Sequence, residues 1–350
     1  MDIRGVAAIA TAFVVAAAVP VWSTRNPPGE AEPVPEAVAE HAPQQQANES
    51  ATPGGGHGEH QDHEAMDAAM AKRDKSFPAK TAGKGAQPLE PKVLPDGTKE
   101  FALTAKITKW ELEPGKIVDA WTFNGTVPGP ILKTAVGDKV RVVVKNELPE
   151  STGIHWHGIL LPNKEDGVAN LTQEPIKPGE TYTYQFTAER PSVGWFHSHH
   201  DGTKQVANGL WGMIMMGEMP RPAGVTVSQS HTIQLQDGGE IGLTFNGKSF
   251  PATEPVLAKH GEWIEVHYLN AGQQAHPIHL HGLDQLVVAR DGHPVPTPYK
   301  VDTLLIGSGE RYTVLIKADR TGSWLWHCHI FSHAEGSQGM FGMVTAMIVK

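Results

Sequence analysis

The sequence has a single cysteine, Cys328, in 350 residues, so no disulfide can form within the chain. Charged residues are also sparse, at 19%, and acidic residues outnumber basic ones to give a formal net charge of -9. That balance argues against nucleic acid or an acidic membrane surface as a partner. Glycine (37) and proline (27) are plentiful instead, which is typical of a β-rich globular protein with many turns.

One long apolar run occurs, over residues 6–22, and it is interrupted by Pro20. Its length lies between those of typical signal peptides and membrane anchors, so residues 1–25 are predicted to be one or the other. No clean small-x-small cleavage site follows the run, and no twin arginine precedes it. Both assignments imply export, so a periplasmic or extracellular location is expected, with a membrane anchor as an open alternative.

Residues 26–92 are rich in Pro, Ala, Gln, Gly and Glu and have almost no large apolar side chains. Such a segment buries too little surface to offset the entropy lost on ordering, which predicts a disordered linker. It contains three closely spaced histidines and two methionines: His57, His60, His63, Met66 and Met70. This group fits a weak copper-collecting segment or a solvated low-complexity linker, and the composition favours the linker.

From Phe101 onward, apolar and polar residues alternate with the period of a β-strand, and Gly/Pro turns separate these segments. No long amphipathic helix is evident, so the pattern predicts an all-β fold of antiparallel sandwiches. The second half also repeats the first, since residues 137–146 match residues 261–270 at an offset of 124. A repeat of about 125 residues predicts two tandem β-sandwich domains, residues 93–221 and 222–350.

Four side chains of the second half have no counterpart in the first. At offsets of 124 and 130 residues, His276, Cys328, His333 and Met340 align with Thr152, Ser198, Thr203 and Leu210. A thiolate with two imidazoles and a weak thioether selects a blue-copper centre. We therefore predict a mononuclear copper site in the second half only, with Met340 as its axial ligand.

Both halves keep histidines in His-x-His pairs. The four pairs are His155 and His157, His197 and His199, His279 and His281, and His327 and His329. Because side chains alternate along a strand, both imidazoles of a pair face one site and the intervening residue faces another. Eight imidazoles are enough for a cluster of three copper ions. Cys328, between His327 and His329, then gives a covalent path for electrons from the mononuclear site to that cluster.

These motifs, His-Trp-His-Gly, His-Ser-His, His-Pro-x-His-Leu-His-Gly and His-Cys-His-x-x-x-His, resemble those of the multicopper oxidases, which are built from cupredoxin domains. The resemblance covers about residues 95–350 and is to the two-domain, laccase-like type. It implies two cupredoxin-like Greek-key β-sandwiches and four copper ions per subunit, one type 1, one type 2 and two type 3. It also implies that His155 and His279 bind the type 2 ion and that the other six paired histidines bind the type 3 ions.

Three positions qualify the resemblance. The spacing from His333 to Met340 is two residues longer than is usual in the family, which keeps Gln338 open as another axial group. Asp166 matches the family's acidic residue near the type 2 site and is assigned proton delivery, although an Asp-Gly turn also explains it. Phe331 stands where many relatives have a second acid, so that proton route is in doubt.

The resemblance implies a laccase-like oxidase that takes electrons from phenolic or similar substrates at the type 1 copper, through Cys328, and reduces O2 to water. Oxidation of cuprous or ferrous ions is the alternative within the class. A copper nitrite reductase, whose blue copper belongs to the first domain where this chain has Ser198, is less favoured. So is a non-enzymatic copper-binding or electron-transfer protein. By analogy with two-domain relatives, a homotrimer with clusters at subunit interfaces is expected.

Two further groups have no assigned role. Most of the remaining histidines are expected at the surface: His200, His231, His260, His267 and His293. Four methionines near the end of the first domain fit either strand packing, which is favoured, or docking of cuprous ions: Met213, Met215, Met216 and Met219.

Overall fold

The computed structural model describes residues 58–350, with side chains from residue 63 onward. The predicted signal peptide or anchor at residues 1–25, and the linker as far as residue 57, lie outside the described residues. Within residues 58–350, no helix is both long enough and apolar enough to cross a membrane.

Residues 58–92 are ordered, so the prediction of a disordered linker is wrong for this part of it. Gly58–Asp74 form helix α1, and the short strands β1 (Pro88–Leu89) and β2 (Lys92–Val93) pair with strands of the first domain. The sequence does not reveal α1 because its apolar residues form no stripe, although Ala, Glu, Met, Lys and Arg favour a helix. Long-range contacts then hold the segment, such as the ring of Phe77 stacked 5.2 Å from that of Phe250.

The first domain is a sandwich of two sheets. Its remaining elements are β3 (Lys99–Glu113), β4 (Lys116–Phe123), β5 (Ile131–Thr134), β6 (Lys139–Asn146), β7 (Ile154–His157), β8 (Thr181–Thr187), β9 (Ser192–Ser198), helix α2 (Gly202–Gln205) and β10 (Trp211–Met216), with a 3-10 turn at Asn163–Glu165. One sheet has the order β1-β5-β10-β9-β7 and the other β2-β3-β6-β8, with β4 paired to β3. Val140, Val142 and Val144 of β6 point into the core, where each stabilises the fold by about 1.5–3 kcal/mol.

The second domain repeats this arrangement. Its elements are β11 (Val227–Gly238), β12 (Gly242–Phe245), β13 (Val256–Ala258), β14 (Trp263–Asn270), β15 (His276–Leu280), β16 (Gln285–Arg290), β17 (His293–Val301), β18 (Thr303–Ile306), β19 (Arg311–Lys317), β20 (Gly322–Cys328), β21 (Glu335–Gly336), β22 (Gly339–Met340) and β23 (Val344–Val349), with a 3-10 turn at Phe331–His333. The sheets have the orders β12-β11-β14-β19-β16-β17 and β13-β23-β20-β15-β18. The small hairpin β21-β22 stands apart from both.

The strand pairings confirm the internal repeat and the predicted all-β fold. The parallel pair β3-β6 and the antiparallel pair β6-β8 recur as β11-β14 and β14-β19. The strands with the histidine pairs, β7 and β9, recur as β15 and β20. Each domain therefore brings its two His-x-His pairs onto neighbouring antiparallel strands. The predicted boundary between residues 221 and 222 falls in the strand-free stretch between β10 and β11.

An apolar cluster joins the two domains and fixes how they face each other. Trp110 and Trp211 of the first domain and Leu269 of the second are buried in it. The indole of Trp110 donates a hydrogen bond to the Gly247 carbonyl (2.6 Å), and that of Trp211 donates to the Gln234 side chain (3.1 Å). Because the buried indole N–H groups are satisfied across the interface, the two sandwiches are held in one orientation.

Candidate metal centres

Three of the predicted mononuclear ligands lie together in the second domain. Cys328 ends β20 and His276 begins the neighbouring strand β15, while His333 follows in the 3-10 turn. The Nδ1 atoms of His276 and His333 lie 3.6 and 3.7 Å from the Cys328 sulfur. All three side chains are buried, and their donor atoms lie within 4.8 Å of one another. One metal ion can therefore be reached by all three.

Asp237, which the sequence did not single out, orients His276. Its Oδ2 lies 3.1 Å from His276 Nε2, and both side chains are buried. Burial opposes ionisation of Asp237, but hydrogen bonds from His276 and from the backbone amides of Gln273 and Gln274 lower its pKa. The carboxylate therefore holds the Nε2 proton of His276 and leaves Nδ1 for a metal. No sequence spacing links a residue of β11 to His276, and Asp237-Gly238-Gly239 resembles an ordinary turn.

The chemistry of this donor set fits copper. Burial raises the pKa of the Cys328 thiol to about 11, so without a cation it is protonated at neutral pH. A bound metal ion removes that proton, because a coordinated thiol binds as the thiolate. One thiolate and two imidazoles in a dry pocket are the donors typical of a blue-copper centre.

The longer spacing after His333 forms a hairpin. Gly336 and Gly339 pair directly, so Ser337 and Gln338 make a two-residue turn between β21 and β22. Gln338 is exposed at this turn, whereas Met340 is partly buried against the cluster that contains Ala334. The two additional residues are thus taken up by the turn. The assignment of Met340 as axial ligand stays a prediction, and the exposure of Gln338 weighs against its rival.

The eight paired histidines form two groups of four, one per domain. The first tetrad is His155, His157, His197 and His199, and the second tetrad is His279, His281, His327 and His329. In the first, the His155 ring lies 5.4–5.7 Å from the other three. In the second, the His279 ring lies 4.8–5.7 Å from the other three, and the Nε2 atoms of His281 and His327 are 3.1 Å apart.

The tautomers of four histidines are fixed in the same way in both tetrads. Nδ1 of His155 lies 3.0 Å from the Asp166 carbonyl, and Nδ1 of His279 lies 3.0 Å from the Asp302 carbonyl. Nδ1 of His197 and of His327 each lies near the carbonyl of its own following residue, at 2.9 and 3.0 Å. Because a carbonyl only accepts, each Nδ1 carries the proton and each Nε2 keeps a lone pair for a metal.

The first tetrad also has the protonation state that a metal requires. Burial lowers the pKa of His197 to about 3 and that of His157 to about 4, so both rings are neutral at physiological pH. His197 Nε2 is buried and has no hydrogen-bond partner among the described residues. A buried polar nitrogen with no partner is costly, and a metal ion would satisfy it. These residues therefore fit copper.

The cavity beside the first tetrad is lined by no histidine of the second. The first tetrad opens into a cavity of about 730 Å³, whose opposite side is formed by Gln236, by residues 271–273 and by residues 308–309. Gly309 approaches closely enough that a Cβ there would lie 3.2 Å from His157. In the second tetrad, His281 and His329 are exposed at the surface. Each domain thus carries four of the eight paired histidines.

Asp166 lies beside the first tetrad, next to the predicted type 2 ligand. Its Oδ1 is 3.4 Å from His155 Nδ1, and its side chain is partly exposed. The carboxylate therefore reaches both solvent and the edge of the metal site, as a proton donor requires. Its role stays a prediction. Phe331, in the position of a second acid, is 60% exposed and lies against the ring of His329.

A hydrogen-bonded trio fills the first domain where the second has its cysteine site. Ser198 and Thr152 donate to the Gln205 side-chain oxygen at 2.6 and 2.9 Å, and all three residues are buried. The alignment had matched Thr203 with His333, but Thr203 is exposed on α2 and Gln205 fills the space instead. Gln205 lies two residues after Thr203, and an alignment with a constant offset cannot reveal such a shift.

Burial indicates the roles of His267 and of the methionines near the end of the first domain. His267, expected at the surface, is buried between Thr313 and Glu265, with Nδ1 3.0 Å from the hydroxyl and Nε2 3.2 Å from the carboxylate. Met213 and Met216 are fully buried, which supports strand packing rather than ion docking. The burial of His267 could not be predicted from the sequence. The residue alternation along a strand is the same whether its outer face is exposed to solvent or covered by a neighbouring segment.

Sequence models of the multicopper oxidase family match residues 104–220 and 220–348. Among solved structures, a blue copper oxidase from Nitrosomonas europaea is 34% identical, with a TM-score of 0.68, over 71% of this chain and 85% of that one.

Two curated relatives have names that indicate different functions. Laccase-2 of Botryotinia fuckeliana is 31% identical over 63% of this chain and 45% of its own length. A copper resistance protein A homolog of Pseudomonas syringae is 38% identical over 41% of this chain and 24% of its own length. The chain spans about half the length of the curated relatives that it matches over the longest stretches.

Proposed function

Because the chain belongs to the multicopper oxidase family, we propose that it couples one-electron oxidation of phenolic or similar substrates to four-electron reduction of O2 to water. Copper bound by these donors supplies the redox chemistry, with one type 1, one type 2 and two type 3 ions per subunit. The protein's own residues bind the ions, exclude water from the mononuclear site and deliver protons.

One observation carries the proposal: Cys328 and its two neighbours in sequence serve different sites. The Cys328 sulfur lies among the buried Nδ1 atoms of His276 and His333, while His327 and His329 lie with the second tetrad. A single strand end therefore joins the two kinds of site through one peptide unit on each side. A protein that only stores copper has no need of this connection.

The roles of the histidines follow the internal symmetry. His155 and His279 occupy equivalent positions, with Nδ1 bonded to a carbonyl of another loop, and we assign them to the type 2 ion. The six others are assigned to the type 3 pair. Asp166, beside His155 and open to solvent, is assigned proton delivery to the site where O2 is reduced.

The two half-clusters require a partner subunit, and we propose a homotrimer. Domain 1 of one subunit would meet domain 2 of the next by a heterologous contact that closes into a ring. The surface around the second tetrad supports this arrangement, because Leu305 and Phe331 are each 60% exposed beside it. Exposed apolar surface of this kind is typical of an interface.

Cuprous or ferrous ions are the second candidate substrate. A specific observation favours the cuprous ion: Met66 and Met70 of α1 are partly buried, and Met70 lies against β22, next to Met340. Thioethers are soft ligands that select Cu(I). The copper resistance relative points the same way.

We also propose that the protein is exported, on the strength of the apolar run at residues 6–22. Fractionation of cells that express the full chain tests this. Recovery with the periplasm, the medium or the membrane agrees with export, whereas recovery in the cytoplasm alone contradicts it.

Oxygen uptake by the copper-loaded protein tests the function, with a phenol, Cu(I) and Fe(II) as separate reductants. We expect uptake without release of peroxide, and the preferred reductant separates a laccase from a metallo-oxidase. A blue protein that consumes no oxygen with any of them would contradict the proposal, and reduction of nitrite by it would reassign the enzyme. Full oxidase activity in dilute, monomeric protein would contradict the trimer.

A further inference from the structure

Helix α1 lies outside both sandwiches and rests on the hairpin that follows His333. The contact is close at Gly339, where a Cβ would lie 3.1 Å from the Met70 Cα and 3.3 Å from Asp74 Oδ1. Gly339 also has a φ of +92°, a conformation that other residues rarely adopt. The hairpin therefore has a glycine at a position where the helix backbone approaches it closely.

The backbone of Met340 is held by α1 at both of its polar groups. Arg73 Nε donates to the Met340 carbonyl at 2.6 Å, and the Met340 N–H donates to Asp74 Oδ1 at 3.4 Å. In β22, Met340 pairs only with Glu335 of a two-residue strand, so the hairpin itself supplies little support. The helix contributes charged groups at both contacts, and such hydrogen bonds are stronger than neutral ones.

Arg73 is itself fixed by both domains. Its Nη2 donates to the Phe250 carbonyl at 2.7 Å and forms an ion pair with Glu113 at 2.6 Å. Glu113 ends β3 of the first domain, and Phe250 belongs to the second. The Arg73 side chain is only partly exposed, at 28%. Its planar fork is therefore pre-oriented toward the Met340 carbonyl rather than free to turn in solvent.

We propose that α1 is a positioning element for the mononuclear copper site, in which Arg73 and Asp74 fix the Met340 backbone and so set the distance of its thioether from the metal. The proposal rests on the assignment of Met340 as axial ligand under the proposed function. The axial ligand of a blue-copper centre is weak and long, and it tunes the reduction potential. A segment outside the cupredoxin domains thus adjusts the potential at which the enzyme accepts electrons.

The test compares Arg73→Ala with Lys72→Ala in the full chain. Lys72 is the preceding residue of α1, carries the same charge and is exposed, so its replacement removes a positive charge but neither of the two hydrogen bonds to Met340. We expect Arg73→Ala to shift the type 1 reduction potential and the blue absorption in the direction that Met340→Leu shifts them. Lys72→Ala should leave both unchanged.

Hydrogen exchange of the copper-free protein gives a second readout that needs neither metal nor activity. Losing the charge-assisted bond should open the hairpin and speed exchange of the Met340 amide by about tenfold or more in Arg73→Ala. The same amide should exchange at the wild-type rate in Lys72→Ala. Arg73→Lys keeps the charge but loses the fork, so an intermediate rate and an intermediate potential are expected. This variant serves as the test if Arg73→Ala does not fold.

The outcomes distinguish the positioning role of Arg73 and Asp74 from the assignment of Met340 as axial ligand, on which that role rests. If Met340→Leu leaves the potential unchanged, the axial assignment is wrong and the proposal falls with it. If Met340→Leu shifts the potential while Arg73→Ala behaves like Lys72→Ala, the axial assignment of Met340 stands and the positioning role of α1 is overturned. A shift of Arg73→Ala opposite to that of Met340→Leu would also overturn it, because the helix would then act only as a cover against water.

Discussion

Both domains place the same pair of strands, β7 and β9 or β15 and β20, beside a buried space. The residues that fill this space differ between the domains. In the second, Cys328 at the end of β20 faces two imidazole nitrogens at 3.6 and 3.7 Å. In the first, Ser198 at the end of β9 donates instead to the oxygen of Gln205. A duplicated domain that has no mononuclear site thus keeps a buried polar group there and satisfies it with hydrogen bonds.

In each domain, a carboxylate forms a hydrogen bond to one of the residues that fill this space. Asp237 holds His276 Nε2 at 3.1 Å, and Glu150 accepts a hydrogen bond from the Gln205 amide at 2.9 Å. In both domains the strand that ends in Cys or Ser keeps its register, since His279 pairs with His327 as His155 pairs with His197. The histidine tetrads of the two domains therefore rest on the same strand pairing, although different residues fill the adjacent space.

The largest predicted difference between the domains is at Cys328 and its counterpart. Cys328→Ser should abolish both the blue absorption and substrate oxidation, because no other thiolate exists in the chain. Ser198→Ala, the matched change in the first domain, should leave the blue band in place. Absorption spectra and oxygen uptake of the two variants check this, and turnover retained by Cys328→Ser would refute the electron path.

Equivalent changes in the two tetrads should have equal effects, because both halves serve one cluster in the proposed trimer. His157→Ala and His281→Ala should each lower oxygen uptake by about 100-fold or more while the blue absorption remains. Copper content and single-turnover reoxidation measure the loss. A variant of either tetrad that keeps near-normal oxygen uptake would show that its half contributes no essential ligand.

The support behind the mononuclear site should matter less than its ligands. Asp237→Asn keeps the shape of the side chain but removes the charge that orients His276, so copper affinity should fall by about 10–100-fold. Competition with a chelator, followed by the blue absorption, measures the change. Unchanged affinity would mean that the two backbone amides at residues 273 and 274, not the carboxylate, fix the pocket.

The smallest effect is expected at the trio of the first domain. Gln205→Ala removes the shared acceptor of the buried Ser198 and Thr152 hydroxyls. It leaves only the longer contacts of 3.1 Å to the His200 carbonyl and 3.3 Å between the two hydroxyls, so it should cost about 1–3 kcal/mol of the free energy of unfolding. The exposed neighbour Thr203 provides the control, and Thr203→Ala should cost much less. Urea unfolding of the copper-free protein compares them. Equal costs would mean that Gln205 does not hold the space.

Much of this comparison could be predicted from the sequence, because strand alternation and the repeat act locally. The His-x-His pairs fixed which imidazoles share a face, and the structure brings all eight into two tetrads. Asp237, Gln205 and α1 could not be predicted. Asp237 and Gln205 contact these sites from segments whose positions do not align between the two repeats. Helix α1 has no apolar stripe and is held by long-range contacts of Arg73 with both domains.

Complementation between two inactive variants tests the central claim, that each cluster is completed by a second subunit. His157→Ala damages only the first tetrad and His281→Ala only the second, so a mixed trimer contains some interfaces with both intact halves. After denaturation and joint refolding at equal amounts, with copper, we predict oxygen uptake of about a quarter of the wild-type rate, since one interface in four combines two undamaged halves. Joint refolding that restores no activity, while each variant alone still forms trimers with blue absorption, would contradict the shared cluster.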